Sequence, residues 1–271
     1  MRSLRLSVIL AAGVLIQPLI WLVAPEPAAA QQQGTQLHSL GVEGADDRQP
    51  VASTSWPWTA LGRINREIGG SCTGALIGPD EVLTAAHCLY NFNDRHWALP
   101  PEIHFLAGYH KGQYAAHAIG TRFVLSPKYN PGRATAPREL ARDWAIIILD
   151  HQIDIPPIPL SRKNLGAMMA AAANGEMGVA GYAGDYVEIL TRHQGCALLG
   201  QVEQVPLLLH RCDATYGVSG APLLLISGGR AEIIGIHNAI TEGKSEGKND
   251  EFGTAVPVWN FDNAVRLTLG N

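Results

Sequence analysis

Short apolar runs separated by glycine, proline and asparagine recur along most of this 271-residue chain, and they constrain its fold more than any other feature. Trp58–Gly62, Gly74–Ile77, Val82–Thr84, Ile103–Leu106, Phe123–Leu125 and Trp144–Leu149 are too short for core helices and read as strands of one barrel. Asp150 to Pro159 carries Pro156, Pro157 and Pro159, cannot form a central strand and reads as a linker. A second set follows at Met177–Tyr182, Val187–Leu190, Cys196–Leu199, Leu207–His210, Pro222–Ile226, Glu232–His237 and Thr254–Val258, enough for a second barrel. The Ala167–Ala173 run favours helix but is short, and is assigned to a surface connection. Trp259–Leu269 places Phe261, Val265 and Leu269 on one helical face with Gly270 just beyond, which predicts a short C-terminal helix docked on a core. The 29 glycines, and 46% hydrophobic against 16% charged residues, suit many strands joined by tight turns. The pattern predicts an all-β chain in two halves, 42–155 and 156–271.

The first 30 residues have a different character. Arg2 and Arg5 precede an apolar run from Leu6 to Ala24, and Ala28-Ala29-Ala30 satisfies the small-residue rule for cleavage after Ala30. This is a signal-sequence pattern, with an uncleaved membrane anchor as the alternative. Residues 31–41 are polar and without period, as in a leader or pro-segment. A net charge of −4 without any Lys/Arg-rich run gives no reason to expect nucleic-acid binding or stable membrane association, and the chain is expected to act as a monomer.

The chemistry is concentrated in three places. Leu83-Thr84-Ala85-Ala86-His87-Cys88 offers a general base after an apolar strand. Asp143 precedes the buried run Trp144–Leu149 and is preferred as the orienting carboxylate over Asp150 and Asp154, which lie towards the linker. Ser219 sits in the glycine-rich turn Thr215–Pro222. A serine hydroxyl is a poor nucleophile unless a base lies within hydrogen-bond reach and a second group fixes that base's tautomer, and these residues fit those roles. The glycines around Ser219 allow two N–H groups, those of Gly217 and Ser219, to face a developing oxyanion. Ala221 breaks the G-x-S-x-G elbow and argues against a lipase or esterase on an α/β-hydrolase sheet. Four cysteines permit three connectivities. Sequential pairing, Cys72 with Cys88 and Cys196 with Cys212, closes two loops of equal separation. Each is worth about 3 kcal/mol in the chain-entropy model. No C-x-x-C or H-E-x-x-H spacing suggests a metal, and no cofactor is implied.

The order His, Asp, Ser, with those local sequences, resembles the chymotrypsin-fold serine peptidases and differs from the subtilisin and α/β-hydrolase orders. The resemblance covers about 46 to 269. It implies two packed antiparallel six-stranded β-barrels with a short C-terminal helix, and a secreted or periplasmic serine endopeptidase acting on protein or peptide substrates. Asp46-Asp47-Arg48 and Ile68–Pro79 are similar to the bacterial glutamyl endopeptidase branch, which would place the mature N-terminus near Gly41 or Val42. Many digestive members carry G-D-S-G-G-P, whose aspartate pairs with a new N-terminal amine on activation. Here that position is Val218, so a zymogen trimmed of its leader would have to be activated another way. The resemblance leaves two pockets open. Asp213 stands where trypsin-like members bind Arg or Lys. Gly235-Ile236-His237 matches the strand with which glutamyl endopeptidases bind a substrate carboxylate, although Ala214 stands where a pocket hydroxyl is often found. Cleavage after Glu or Asp is the expectation. A non-catalytic binding module and an esterase are the rivals.

Overall fold

The computed structural model describes residues 41–42, 44–186, 188–245 and 248–270. The expected signal sequence, and all of the expected leader except Gly41, lie outside the described residues. No helix among the described residues is long and apolar enough to cross a membrane.

In chain order the first part comprises β1 (Gln49–Pro50), β2 (Leu61–Arg66), β3 (Ser71–Leu76), β4 (Glu81–Thr84), β5 (Tyr90–Asn91), β6 (His96–Trp97), β7 (Ile103–Ala107), β8 (Ala116–Leu125), a single helical turn α1 (Pro137–Leu140) and β9 (Ala145–Leu149). The second comprises α2 (Leu165–Ala173), β10 (Met177–Gly181), β11 (Thr191–Gln194), β12 (Leu198–Gln201), β13 (Leu208–His210), β14 (Pro222–Ser227), β15 (Arg230–Ser245), β16 (Lys248–Pro257) and α3 (Asp262–Leu269). Six strands close a barrel in the order β2-β3-β4-β9-β8-β7, every pairing antiparallel. Because side chains alternate along each strand, Ile64, Leu76, Val82, Ile103, Phe105 and Ile147 share one face of the barrel wall, and Leu83 and Ile146 lie on the other, all of them wholly buried.

The second half is an eight-stranded antiparallel sheet, β1-β11-β10-β14-β15-β16-β13-β12. Its extra strand, β1, comes from ahead of the first barrel and pairs Gln49 with Arg192 and Pro50 with Thr191. The all-β chymotrypsin-like architecture is borne out, but where a second six-stranded barrel is expected the chain forms this eight-stranded sheet, enlarged by β1. The strand inventory differs in detail. Trp58–Ala60 is a 3-10 turn, and β2 starts at Leu61. The run expected as a strand at 187–190 is not one over its described residues, because Glu188 takes the left-handed conformation (φ 66°) and ends any extended segment.

α2 replaces the expected surface connection. Asn164 caps it, its side chain accepting from Ala167 N at 2.9 Å, and alanine's high helix propensity carries the turn through. Met168 points inward and is wholly buried. The C-terminal helix forms as the periodicity predicts. Phe261 and Val265 are buried, and Gly270 closes α3 in the left-handed region (φ 73°).

Candidate active site

His87 lies on a 3-10 turn, Ala86–Leu89, immediately after β4. The turn is held from two sides. Cys88 is bonded to Cys72 on β3, as the sequential pairing predicts, and Cys196 is bonded to Cys212. Asp143, buried at the mouth of β9, grips His87 with both carboxylate oxygens. Oδ2 is 2.7 Å from the ring Nδ1, and Oδ1 accepts from the His87 main-chain N at 2.8 Å. With Nδ1 committed to the carboxylate, the free basic nitrogen is Nε2. The rival carboxylate Asp150 is occupied elsewhere, accepting from Ile119 N and lying 2.8 Å from His151 Nδ1.

Ser219 and His87 line one cleft of about 240 Å³ together with Thr215, Tyr216 and His237. The Cys72–Cys88 bridge lies beneath both, with Cys88 Sγ 3.9 Å from His87 Nε2 and 3.7 Å from the Ser219 carbonyl oxygen. The main-chain donors around the serine are spoken for: Val218 N donates to Thr215 O, Gly220 N to His237 O and Ala221 N to Val218 O. Among the described residues no protein acceptor takes the N–H of Gly217 or of Ser219. Gly217 has φ 90°, and a Cβ there would sit 2.3 Å from Tyr182 O, so only glycine fits this turn.

Thr73 on β3 ties the first barrel to this turn. Its N donates to Ser219 O and its hydroxyl to Gly217 O, both at 2.9 Å, while the same hydroxyl accepts from Tyr182 N at 2.9 Å. Thr73 is wholly buried, and nothing in the sequence separates it from an ordinary strand threonine.

The cleft's second wall contains His237, paired with His210. Cys212 N donates to His210 Nδ1 at 3.1 Å, so the His210 proton resides on Nε2. That Nε2 is 3.1 Å from His237 Nδ1, which therefore accepts, leaving His237 protonated on Nε2. The pair thus sets one tautomer of a cleft residue without any charge. Gly253 on β16 makes room for it, since a Cβ there would sit 2.1 Å from His210 Cε1 and 2.5 Å from its Nε2.

Burial pushes both rings away from the charged form. His237 is held well below the usual histidine range, first by burial and then by His210. His210 is lowered to about 3 by burial and then by His193. As pH falls below the ordinary value of 6.5, the unfolded chain binds protons that the folded rings refuse. Stability from this pair is therefore complete above that pH and is lost as pH falls towards 3. The loss is about 1.4 kcal/mol per pH unit for each ring. Urea midpoints measured across this window should fall steeply, and His210→Phe should flatten the slope. A midpoint indifferent to pH there would contradict the assignment.

The residues with which glutamyl endopeptidases and trypsin-like members are contrasted part company here. His237 lines the cleft, whereas Asp213 and Ala214 do not. Asp213 is buried, accepts from Asp47 N at 2.9 Å, and lies 3.2 Å from His193 Nδ1. Ala214 N donates to Gly41 O at 2.8 Å.

The family model for trypsin matches residues 46–265. The chain belongs to the trypsin family. This trypsin-family chain is 26% identical over 230 residues to the glutamyl endopeptidase of Bacillus licheniformis, covering 82% of the chain and 67% of that protein. It is similar to a solved structure of a Glu endopeptidase in complex with MPD, with a TM-score of 0.64 and 25% identity over 85% of this chain and 100% of the other. The Vibrio cholerae VesB protease shares the fold, with a TM-score of 0.60 at 19% identity over 82% of this chain and 67% of the other. Family membership and these relatives make the trypsin-family chain a serine endopeptidase, a hydrolase of peptide bonds. Residues in contact with the candidate site that sequence reasoning missed include Thr73, His210 and Gly253. His210 could have been found only by asking which other histidine a β13–β16 pairing sets beside His237.

Proposed function

We propose that the chain is an exported serine endopeptidase that cleaves after glutamate or aspartate, with Ser219 as nucleophile, His87 as base and Asp143 as its orienting partner. The observation that carries the triad is the two-point grip of one buried carboxylate on His87, beside Ser219 in a common cleft. In this reading His87 Nε2 takes the Ser219 proton as Oγ attacks the scissile carbonyl, and later returns it to the leaving amine. Asp143 stabilises the imidazolium formed between those events. The two unclaimed N–H groups, of Gly217 and Ser219, receive the negative charge on the carbonyl oxygen. Hydrolysis of the acyl-enzyme repeats the sequence with water as nucleophile. Two disulfides, together with the signal-sequence pattern, support export to an oxidising compartment.

The acidic preference rests on the histidine pair. His210 fixes His237 as a neutral N–H donor, and a donor in the cleft matches a carboxylate or carboxamide side chain. Asp213 is committed to Asp47 and His193, and among the described residues no carboxylate that an Arg or Lys side chain would need lines the cleft. A hydrogen bond to a charged group is worth about 1.5–3 kcal/mol, which sets the expected discrimination at tenfold to a hundredfold.

The test is to digest an unstructured protein and map every cut by mass spectrometry, with the Ser219→Ala chain as control. Ser219-dependent cuts after Glu and Asp are expected, and cuts after Arg or Lys would overturn the pocket assignment. His237→Ala should lower kcat/KM on glutamyl peptides at least tenfold more than on leucyl peptides. Gly253→Ala, which drives a methyl group into His210, should move selectivity in the same direction without touching the cleft. Equal losses on both substrates would remove His237 from the pocket.

A further inference from the structure

The chain has no aspartate beside its candidate nucleophile, since Val218 occupies that position and is buried. Some other group must therefore order the turn from Thr215 to Ser219. A single buried cation stands at the base of that turn. Arg48, just ahead of β1, is 4% exposed, and its guanidinium is enclosed by five acceptor oxygens of three residues. Nη1 donates to Thr215 Oγ1 and to Asp185 Oδ1, both at 2.9 Å. Nη2 donates to Asp185 Oδ2 at 2.6 Å and to Asp46 Oδ2 at 2.8 Å, and Nε donates to Asp46 Oδ1 at 2.9 Å. Thr215 Oγ1 donates in turn to Asp185 Oδ1 at 2.7 Å. All of the guanidinium's flat fork is used, in the bidentate manner that lysine cannot reproduce.

The contacts run onward to the oxyanion donors. Asp185 belongs to the loop whose Gly184 N donates to Tyr216 O at 2.6 Å, and Tyr182 O closes against Gly217. The loop at 182–185 and the turn at 215–217 are thus laced edge to edge, and Arg48 joins them at the Thr215 end. The N-terminal strap that carries it is fastened independently, through Asp47 N to Asp213 and through Gly41 O from Ala214 N.

We propose that Arg48 is the positioning residue for the oxyanion turn: docked with the strap, it does for Thr215–Ser219 what an N-terminal ammonium does where an aspartate precedes the serine. The inference rests on the serine-peptidase reading and extends it to regulation. The catalytic turn is competent only while residues 46–48 are seated, and cleavage beyond Arg48 would switch the enzyme off with the triad intact. Both carboxylate partners are about one-third exposed, so removing Arg48 does not strand a buried charge, and the variants are expected to fold.

The experiment compares the parent protein with Arg48→Ala, Arg48→Lys and Asp185→Asn, reading, as the surrogate for acylation, the rate at which a fluorophosphonate phosphonylates Ser219 with loss of fluoride, beside the thermal midpoint. Arg48→Ala should acylate about 100-fold more slowly, the scale of one misplaced oxyanion donor, with KM on peptides nearly unchanged. Arg48→Lys should recover only part of that loss. Millimolar guanidinium should accelerate Arg48→Ala and leave the parent unaffected, a rescue that a merely structural role would not give. Should Arg48→Ala fail to fold, the Asp185→Asn rate carries the same comparison. Parent-like acylation in the folded variants would overturn the proposal, as would a loss that follows the thermal midpoint and ignores guanidinium. No Ser219-dependent labelling of the parent would overturn the peptidase reading together with it.

Discussion

Replacing Ser219 by alanine is expected to lower kcat on a protein substrate by on the order of a million-fold, the scale found when a triad nucleophile is removed. The fold should survive, because the contacts of this residue with its surroundings are made by its main chain: its O accepts from Thr73 N, and the Cys88 sulfur lies against the same oxygen. The residual rate should come from the oxyanion donors and substrate binding, which the substitution leaves in place. Adding His87→Ala to Ser219→Ala should then cost little more, since a base without its nucleophile has no proton to take. Single-turnover cleavage with purified variants decides the matter. A Ser219→Ala loss smaller than a hundredfold, or additive losses in the double variant, would remove the serine from the mechanism.

Asp143→Asn should lower kcat by about 10⁴-fold while hardly changing KM, and the reason lies in the two-point grip. The carboxylate accepts twice from His87, from a ring nitrogen at Oδ2 and from the main-chain N–H at Oδ1. Asparagine has a single oxygen. The main-chain N–H cannot change its character, so that oxygen must turn to it, and the amide NH₂ then faces Nδ1. Nδ1 becomes an acceptor, the ring proton moves to Nε2, and His87 is left in the tautomer that cannot take a proton from Ser219. Asp143→Ala, which abandons the ring without inverting it, should be no worse than the near-isosteric asparagine. Steady-state kinetics at neutral pH test this. An asparagine variant within tenfold of the parent would show that the carboxylate does not set the tautomer.

How much of this was legible beforehand follows from how local each signal is. The barrel strands could be read because their apolar residues lie within a few positions of one another, and the C-terminal helix because Phe261, Val265 and Leu269 fall on one helical face with Gly270 just past the end. The triad candidates were legible for the same reason, each lying in a distinctive short stretch. β15 and β16 were read as far too short. Their outer halves pair 241–245 with 248–252, a polar, charged sequence that carries no alternation, and this pairing is set by register with the inner halves. β11 went unseen because Thr191–Gln194 has no apolar face to alternate. His210, Gly253 and Arg48 were invisible as functional residues because their meaning lies wholly in partners remote in sequence: His237, the His210 ring, and Asp185 with Thr215. Arg48 was noticed only as part of an Asp-Asp-Arg string. A buried arginine is uncommon enough that its burial, once known, demands an account.

Thr73 has a consequence for anyone recombining enzymes of this kind. It is a socket on one half of the molecule into which the turn bearing the serine is plugged through two carbonyl oxygens and one threonine hydroxyl. Because the socket recognises main chain, it is indifferent to the side chains that distinguish one donor of the second half from another. Chimeras that keep Thr73 and its hydroxyl partner Tyr182 N should therefore accept foreign specificity walls, whereas a half grafted onto a barrel with valine at this position would arrive with its nucleophile out of register.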